Sequence, residues 1–159
     1  CHWITLENLE PIIDFVKKNN GKLGVLSVDI DGNDYWILKK LLIHFKPEII
    51  CVEYNASFLM KSITIRYAAN FDRHKEHNSG FYHGASITAF YNLLNKDYAL
   101  VQNIGGLNLI FIRNDIFLDK YKSLTPEKAY SENYFRNKWS NTTSKEQWKR
   151  IKDLKFIDV

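Results

Sequence analysis

The spacing of apolar residues along the chain predicts alternating helices and strands. Apolar side chains recur every three or four positions in three segments, which is typical of helices with one buried face. These segments are residues 6–16, 34–45 and 86–94. Nearly continuous apolar runs predict strands over residues 23–30 and 48–54, and the first run suits a strand that is covered on both faces of a sheet. The first helix is expected to begin just after Thr5.

Two further strands follow the third helix. They are predicted over residues 98–104 and 107–113, and the Gly105-Gly106 pair between them is typical of a hairpin turn. The resulting order predicts an α/β fold with a mostly parallel sheet and a C-terminal antiparallel hairpin. Residues 55–84 show no clear period, and a connection of that length is commonly functional or only partly ordered.

The chain divides into two predicted parts. Residues 1–122 carry the α/β pattern, and residues 123–159 are expected to form a helical C-terminal extension with a helix over residues 144–154. The first residue is Cys1 and not methionine, so we expect further residues upstream of it.

Composition narrows the class of protein. The chain has 159 residues, of which 45% are hydrophobic and 14% aromatic, enough for a packed core. A formal net charge of +4 is too small to favour nucleic acid as a partner. Acidic residues interrupt the basic residues near the C-terminus, which predicts a solvated helical face. These basic residues are Arg136, Lys138, Lys145, Lys149, Arg150, Lys152 and Lys155.

The sequence shows no pattern of a membrane or secreted protein. No run approaches the ~18 consecutive apolar residues of a membrane span, and the N-terminus lacks a signal-peptide pattern. Two cysteines provide neither a disulfide framework nor a zinc site. We therefore expect a cytoplasmic protein without a membrane span.

Three carboxylates and one amide lie within six residues at the end of the first predicted strand. They belong to Asp29, Asp31, Asn33 and Asp34. Like charges this close raise one another's pKa unless a cation, a donor or a proton is shared. Asp29 still belongs to the apolar run, which favours a ligand site. Asp31-Gly32-Asn33 is also ordinary turn chemistry, and Asn33 can cap the next helix, so both interpretations stay open.

Glu53 ends the second predicted strand in the same way. In open α/β sheets, ligands bind outside the carboxyl ends of the strands, so Glu53 and Asp29 face one crevice if their strands are neighbours. A carboxylate there can orient a hydroxyl, hold a divalent cation or act as a base. The alternative is a salt bridge from Glu53 to Arg66 or Arg73.

Tyr82-His83-Gly84 precedes the third predicted helix and is expected to open at the same end of the sheet. A single histidine in this position is either catalytic or structural, and the acidic residues nearby keep both interpretations open.

Four ordered blocks of the sequence resemble the later part of FkbM-like S-adenosylmethionine-dependent methyltransferases. The blocks are residues 26–36 (LSVDIDGNDYW), 47–55 (PEIICVEYN), 82–86 (YHGAS) and 106–113 (GLNLIFIR). The resemblance covers about residues 3–113. It implies the Rossmann-like sheet of class I methyltransferases, with these strands as the fourth to the seventh and with the N-terminal strands missing.

The resemblance also implies a reaction and a set of site residues. It implies an S-adenosylmethionine-dependent O-methyltransferase that acts on a hydroxyl of a sugar or another small polar acceptor, such as part of a glycan. Asp29 and His83 are the candidate bases, and a divalent cation is a possible second cofactor, held by Asp29, Asp31 and Glu53. The candidate acceptor-binding residues are Asp31, Asn33, Glu53, Asn55 and Tyr82.

The sequence departs from the family at the cofactor site. The family's glycine-rich loop after its first strand, and the acidic residue after its second, have no counterpart in these residues. A sheet that starts at the fourth strand also leaves the edge beside residues 23–29 unpaired. An unpaired apolar edge favours association with another chain or a second copy.

Three other functions remain open. Asp29-x-Asp31 resembles the start of a haloacid-dehalogenase-like phosphatase, although Asn33 and the missing downstream magnesium motif depart from that pattern. The same short motif occurs in metal-dependent glycosyltransferases. The alternative that is not an enzyme is a partial fold that acts as an interaction module.

Overall fold

A four-stranded open sheet organises the part of the chain that the computed structural model describes, residues 3–19, 21–117 and 122–159. Its strands are β1 (Val25–Val28), β2 (Ile49–Glu53), β4 (Tyr98–Ile104) and β5 (Asn108–Arg113), in the spatial order β1-β2-β5-β4. β1 is parallel to β2, and β5 is antiparallel to both β2 and β4. The predicted α/β class and the hairpin are confirmed, and the sheet is mixed. Cys1 lies outside the described residues.

β1 is an edge strand, which corrects the prediction of a strand covered on both faces. Its one partner in the sheet is β2. Val25 is 61% exposed, Ser27 is exposed, and only Val28 is buried. Hydrophobicity along the sequence cannot distinguish an edge strand from a central one, because both positions can carry apolar runs.

Proline and capping residues determine where the helices that flank the sheet begin. Pro11 lacks a backbone N–H and therefore occupies the first turn of α1 (Glu10–Lys18), so this helix begins later than predicted. Residues Leu6–Asn8 form a separate 3-10 helix. α2 (Asp34–Leu41) ends before residue 45, and α4 (Ile87–Leu94) is capped by Ser86, whose hydroxyl accepts the N–H of Ala89 at 3.0 Å.

Residues 55–84 contain regular structure that periodicity did not predict. They form a 3-10 helix (Ala56–Phe58), β3 (Ile63–Ile65) and α3 (Arg73–Glu76). Four of their aromatic side chains are buried in a second hydrophobic cluster, so these four rings pack the fold and are not free to stack on a ligand. The buried rings are those of Phe58, Phe71, Phe81 and Tyr82.

The C-terminal part is more than a helical extension. It consists of α5 (Pro126–Ala129), α6 (Tyr134–Ser140), α7 (Ser144–Ile151) and β6 (Phe156–Asp158). β6 pairs antiparallel with β3 and so ties the end of the chain to residues 63–65. α6 and β6 were not predicted.

The main core joins the sheet to its helices. It combines residues of β2 and β5 with inward-facing residues of α1, α2 and α4, among them Ile13, Leu38, Ile50, Phe90 and Phe111. Within the described ranges, no helix is long and apolar enough to cross a lipid bilayer.

Candidate functional site

The carboxyl ends of β1 and β2 lie side by side. The two strands are parallel and adjacent, with Val28 as the register partner of Val52. Carboxylate oxygens of Asp29, Asp34 and Glu53 therefore lie within 4.8 Å of one another. This confirms the prediction that the acidic turn and Glu53 meet at the carboxyl ends of neighbouring strands.

Asp34 holds the acidic turn in shape. Its fully buried carboxylate accepts the backbone N–H of Ile30 at 2.8 Å and that of Gly32 at 2.9 Å. Burial raises the pKa of Asp34, and the charge of Asp29 adds to this effect, whereas the two backbone donors oppose it. Asp34 is thus a structural member of the acidic group.

Asp31 and Gly32 form the tip of the turn. Asp31 has a φ of +57°, in the left-handed region, and its side chain is 60% exposed and paired with Arg73. Gly32 is required by space, because a Cβ there would lie 2.5 Å from a ring carbon of Phe71. The turn therefore presents the Asp31 carboxylate to solvent while its backbone packs against Phe71.

Glu53 is buried and has a cationic partner that the sequence did not indicate. Its carboxylate lies 3.5 Å from the guanidinium of Arg136, with 6% of its side chain exposed. The alternative prediction of a salt bridge to Arg66 or Arg73 is wrong, since Arg73 pairs with Asp31. Burial raises the pKa of Glu53 to about 8, helped by the neighbouring carboxylates and opposed by Arg136.

Arg136 enters the site from α6, and this corrects its placement on a solvated helical face. Its side chain is 8% exposed. It donates to Asn55 Oδ1 at 2.8 Å and lies 3.1 Å from His83 Nε2. The other residues of that basic set are exposed, as predicted. Helical periodicity alone does not predict a buried arginine, because its counter-charge lies on a distant strand.

His83 lies beside this guanidinium and is 1% exposed. Burial, followed by the charges of Arg136, Arg73 and His74, lowers the pKa of His83 well below its ordinary value, so the ring is neutral. Its Nδ1 has no hydrogen-bond partner among the residues that the structure describes. A neutral ring whose Nε2 faces a guanidinium is poorly placed to act as the predicted base.

The amide of Asn55 is fully used inside the protein. It donates to the carbonyls of Phe81 at 2.7 Å and His83 at 2.8 Å, and its Oδ1 accepts from Ser57 N and Arg136. Asn55 therefore supports the backbone of His83 and the side chain of Arg136, and no donor or acceptor is left for an acceptor molecule.

Two further predicted binding residues also face protein partners. Asn33 makes no side-chain cap for α2, and its amide donates instead to the carbonyl of Ala68 at 2.8 Å. Tyr82 donates its hydroxyl to the carbonyl of Lys155, and its ring packs on Phe156 with centroids 5.2 Å apart. Neither side chain belongs to the group of carboxylates at the carboxyl ends of β1 and β2.

Among the residues that the structure describes, two groups of side chains have a spacing that could hold a metal ion. In each group one ligand atom per residue lies within 4.8 Å of the others. The groups are Asp31, Glu53 and His83, and Asp29, Asp34 and Glu53. The predicted trio of Asp29, Asp31 and Glu53 is divided between them.

Guanidinium groups already neutralise the first of these groups. Arg73 pairs with Asp31, and Arg136 contacts both Glu53 and His83. A cation placed among the same atoms would be repelled by both arginines. The structure therefore favours internal cations over a metal ion at this group.

Comparison with known proteins identified no relatives. No family model, no curated protein and no solved structure matches the chain. A function must therefore be inferred from the geometry of the site.

Proposed function

We propose that the chain forms the acceptor side of an S-adenosylmethionine-dependent O-methyltransferase that acts on a hydroxyl of a sugar or a similar small polar molecule. The observation that carries this proposal is the meeting of Asp29, Asp34 and Glu53 at the carboxyl ends of two adjacent parallel strands. Open α/β sheets bind their ligands outside the carboxyl ends of their strands.

The strand arrangement supports the resemblance on which the proposal also rests. Two parallel strands are followed by an antiparallel hairpin of the last two sheet strands, as the resemblance implies. Within this arrangement, the acidic block follows the strand that corresponds to the fourth of a class I methyltransferase. Glu53 follows the strand that corresponds to the fifth.

The side chains at the carboxyl ends of β1 and β2 are suited to removing the proton of an acceptor hydroxyl. Asp29 is exposed beside the buried Glu53, so it can take the proton of an acceptor hydroxyl while the hydroxyl oxygen is methylated. Glu53, fixed by Arg136, can orient the same molecule. The exposed Asp31 can accept a hydrogen bond from a further hydroxyl. His83 is assigned no proton-transfer role, because its ring is neutral and faces Arg136.

The cavity beside the acidic turn is too small to enclose a methyl donor by itself. A cavity of about 200 Å³ beside the acidic turn is lined by Ile30, Gly32 and Asn33. Sites that bury small molecules usually measure roughly 300–1,000 Å³. The donor, which supplies a sulfonium methyl group, would therefore lie partly against protein beyond the free edge of β1.

The proposal is tested with the full-length gene product that contains this chain. Calorimetry should show saturable binding of S-adenosylmethionine and S-adenosylhomocysteine, and labelled methyl should appear on a neutral sugar such as methyl glucoside. Asp29→Asn should lower kcat roughly 10²- to 10⁴-fold, the usual contribution of a general base. Asp14→Asn, at an exposed position of α1, is the matched control and should leave the rate unchanged.

The alternatives predict different results. No binding of either nucleoside at millimolar concentration favours the interaction module and overturns the enzyme. Release of inorganic phosphate from an aryl phosphate, abolished by Asp29→Asn, supports the phosphatase instead.

A further inference from the structure

The inner face of α6 is polar. Arg136 lies 3.5 Å from the carboxylate of Glu53 and donates to Asn55 at 2.8 Å. The side-chain oxygen of Asn137 accepts from Gln147 at 2.8 Å, which joins α6 to α7. Hydrogen bonds and an ion pair therefore attach this helix to the rest of the protein.

The outer face of α6 is aromatic. Tyr134, Phe135 and Trp139 are between 62% and 79% exposed. Residues three and four apart are neighbours on a helix surface, so Phe135 lies beside Trp139, and the exposed Lys138 lies beside Tyr134 and Phe135. These four residues are the aromatic face of α6. A helix on a protein surface normally buries its apolar face, and α6 does the reverse.

The aromatic face is large enough to bind a partner but small for a stable protein interface. Each aromatic side chain has about 150–250 Å² of surface to bury, so three that are mostly exposed offer roughly 300–500 Å². Exposed apolar patches of this size are often functional. A stable protein–protein interface buries about 800 Å² on each partner. A lipid bilayer requires no matching shape, and it can accept these side chains one by one.

The charge around the aromatic face is complementary to an anionic membrane. In residues 134–155, exposed basic side chains outnumber exposed acidic ones by six to two. Glu132, just before α6, is occupied within the protein, because its carboxylate accepts from Asn137 and from Ser144 N. Aromatic rings beside basic side chains are typical of helices that lie at a bilayer surface. The basic residues are Lys138, Lys145, Lys149, Arg150, Lys152 and Lys155, and the acidic residues are Glu146 and Asp153.

We propose that the aromatic face of α6 attaches the protein to the surface of a membrane that contains anionic phospholipids. Tyr134, Phe135 and Trp139 insert between the lipid headgroups, and Lys138 pairs with an anionic headgroup. Arg136 points the opposite way and keeps its contacts with Glu53. This attachment goes beyond the proposed function and does not depend on methyl transfer.

Vesicle binding by the full-length gene product tests the proposal. Sedimentation with phosphatidylcholine vesicles that contain roughly 30% phosphatidylserine should show saturable binding. Vesicles of phosphatidylcholine alone should bind at least about tenfold more weakly, because each basic residue near an anionic surface contributes to binding. Lys138→Gln should weaken binding to the anionic vesicles about fivefold.

Substitutions of Trp139 test whether the aromatic face is the part that inserts. Trp139→Ala should weaken binding to the anionic vesicles roughly tenfold, because a large apolar side chain is lost from the bilayer surface. Phe15→Ala is the matched control, since it removes another exposed aromatic side chain, on α1, and should bind as the wild type does. Trp139→Phe keeps an aromatic ring and should bind within about threefold of the wild type. Brominated lipids should quench tryptophan fluorescence in the wild type and much less in Trp139→Phe.

Several results would overturn the proposal. They are no binding to anionic vesicles, equal binding to both kinds of vesicle, equal losses for Trp139→Ala and Phe15→Ala, or unchanged quenching in Trp139→Phe. Self-association that Trp139→Ala abolishes, without vesicle binding, would assign the aromatic face to a second copy of the chain. If a variant fails to fold, the wild type still decides the question through its preference for anionic vesicles.

Discussion

Charged groups of both signs lie within 4.8 Å of the buried Glu53 carboxyl group. Burial and the carboxylates of Asp29 and Asp34 favour its protonated form, and Arg136, 3.5 Å away, favours the ionised form. Burial is the largest of these effects, so the pKa rises to about 8 in place of the ordinary 4.5. The folded protein therefore binds a proton on Glu53 at pH values where the unfolded chain has released it.

This raised pKa predicts the direction of a pH effect on stability. Between pH 4.5 and about 8 the folded state holds more protons at Glu53 than the unfolded state, so the stabilising contribution is complete at low pH and is lost as pH rises through this range. The free energy of unfolding, measured by urea titration at a series of pH values, should fall with pH more steeply for the wild type than for Glu53→Gln.

Two variants sharpen this measurement. Arg136→Met should raise the pKa of Glu53 further and move the window to higher pH, because Arg136 opposes the shift. Above about pH 8, where Glu53 is ionised, breaking the buried pair should also cost about 3–5 kcal/mol. Glu48→Gln, at an exposed position beside the start of β2, should leave the pH dependence unchanged. Equal slopes for the wild type and Glu53→Gln would contradict the raised pKa.

At the scale of secondary structure, β6 stabilises the region that precedes His83. Phe156 packs on Phe58 and Tyr82 with ring centroids 5.2 Å apart in each case, and on Trp148 at 5.3 Å. β6 also closes the two-stranded sheet with β3. The end of the chain therefore supports both the aromatic cluster and the segment that leads to the site.

Removing this ring should loosen β3 before it unfolds the protein. Phe156→Ala should cost about 2 kcal/mol, less than the roughly 3–5 kcal/mol of a fully buried phenylalanine, because Phe156 is half-buried. Hydrogen exchange of the amides in Ile63–Ile65 should become faster. Lys155→Ala is the control, since its backbone carbonyl still accepts from Tyr82. Unchanged exchange in β3 would show that β6 does not stabilise it.

At the scale of the whole molecule, the two edges of the sheet differ. The β4 edge is partly covered, because Leu124 N donates to the carbonyl of Leu100 at 2.8 Å and Asn103 donates to the carbonyl of Ala129 at 2.7 Å. β1 has no second strand partner in the described sheet, and its first residue, Val25, is exposed. Edges of this kind pair readily with other strands.

We expect the free β1 edge to mediate association. Sedimentation velocity over a concentration series should show self-association of the isolated chain, and Val25→Lys should weaken it roughly tenfold, which corresponds to about 1.4 kcal/mol. Ile43→Lys changes another exposed apolar residue, which lies away from this edge, and should have little effect. A chain that stays monomeric at every concentration would contradict the prediction.

The sequence predicted the parts of the fold that follow from local pattern. The β1–β2 pair, α4 and the hairpin at Gly105-Gly106 each carry their signal within a few residues. β3 and β6 were missed because each has three residues and is stable only through the other. The start of α1 was misplaced because Pro11 determines it more strongly than the apolar spacing does.

The site was predictable only in part, for a similar reason. Asp29 and Glu53 were found because each ends a recognisable strand, and parallel strands place such residues at one edge. Arg136 could not be found, because its burial depends on Glu53 and Asn55, far away along the chain. Asn55 was assigned to a ligand because the sequence does not show that its amide is already satisfied within the protein.

The separation along the sequence between Arg136 and its partners has a consequence for protein synthesis. Arg136 and Asn55 are 81 residues apart, and during translation the strands that carry the carboxylates leave the ribosome long before α6 does. Until then Glu53 lacks the guanidinium that favours its ionised form in the folded protein. Ribosome-bound chains that end before α6 would therefore lack the contacts of Arg136 with Glu53 and Asn55, which can form only in the last stage of folding.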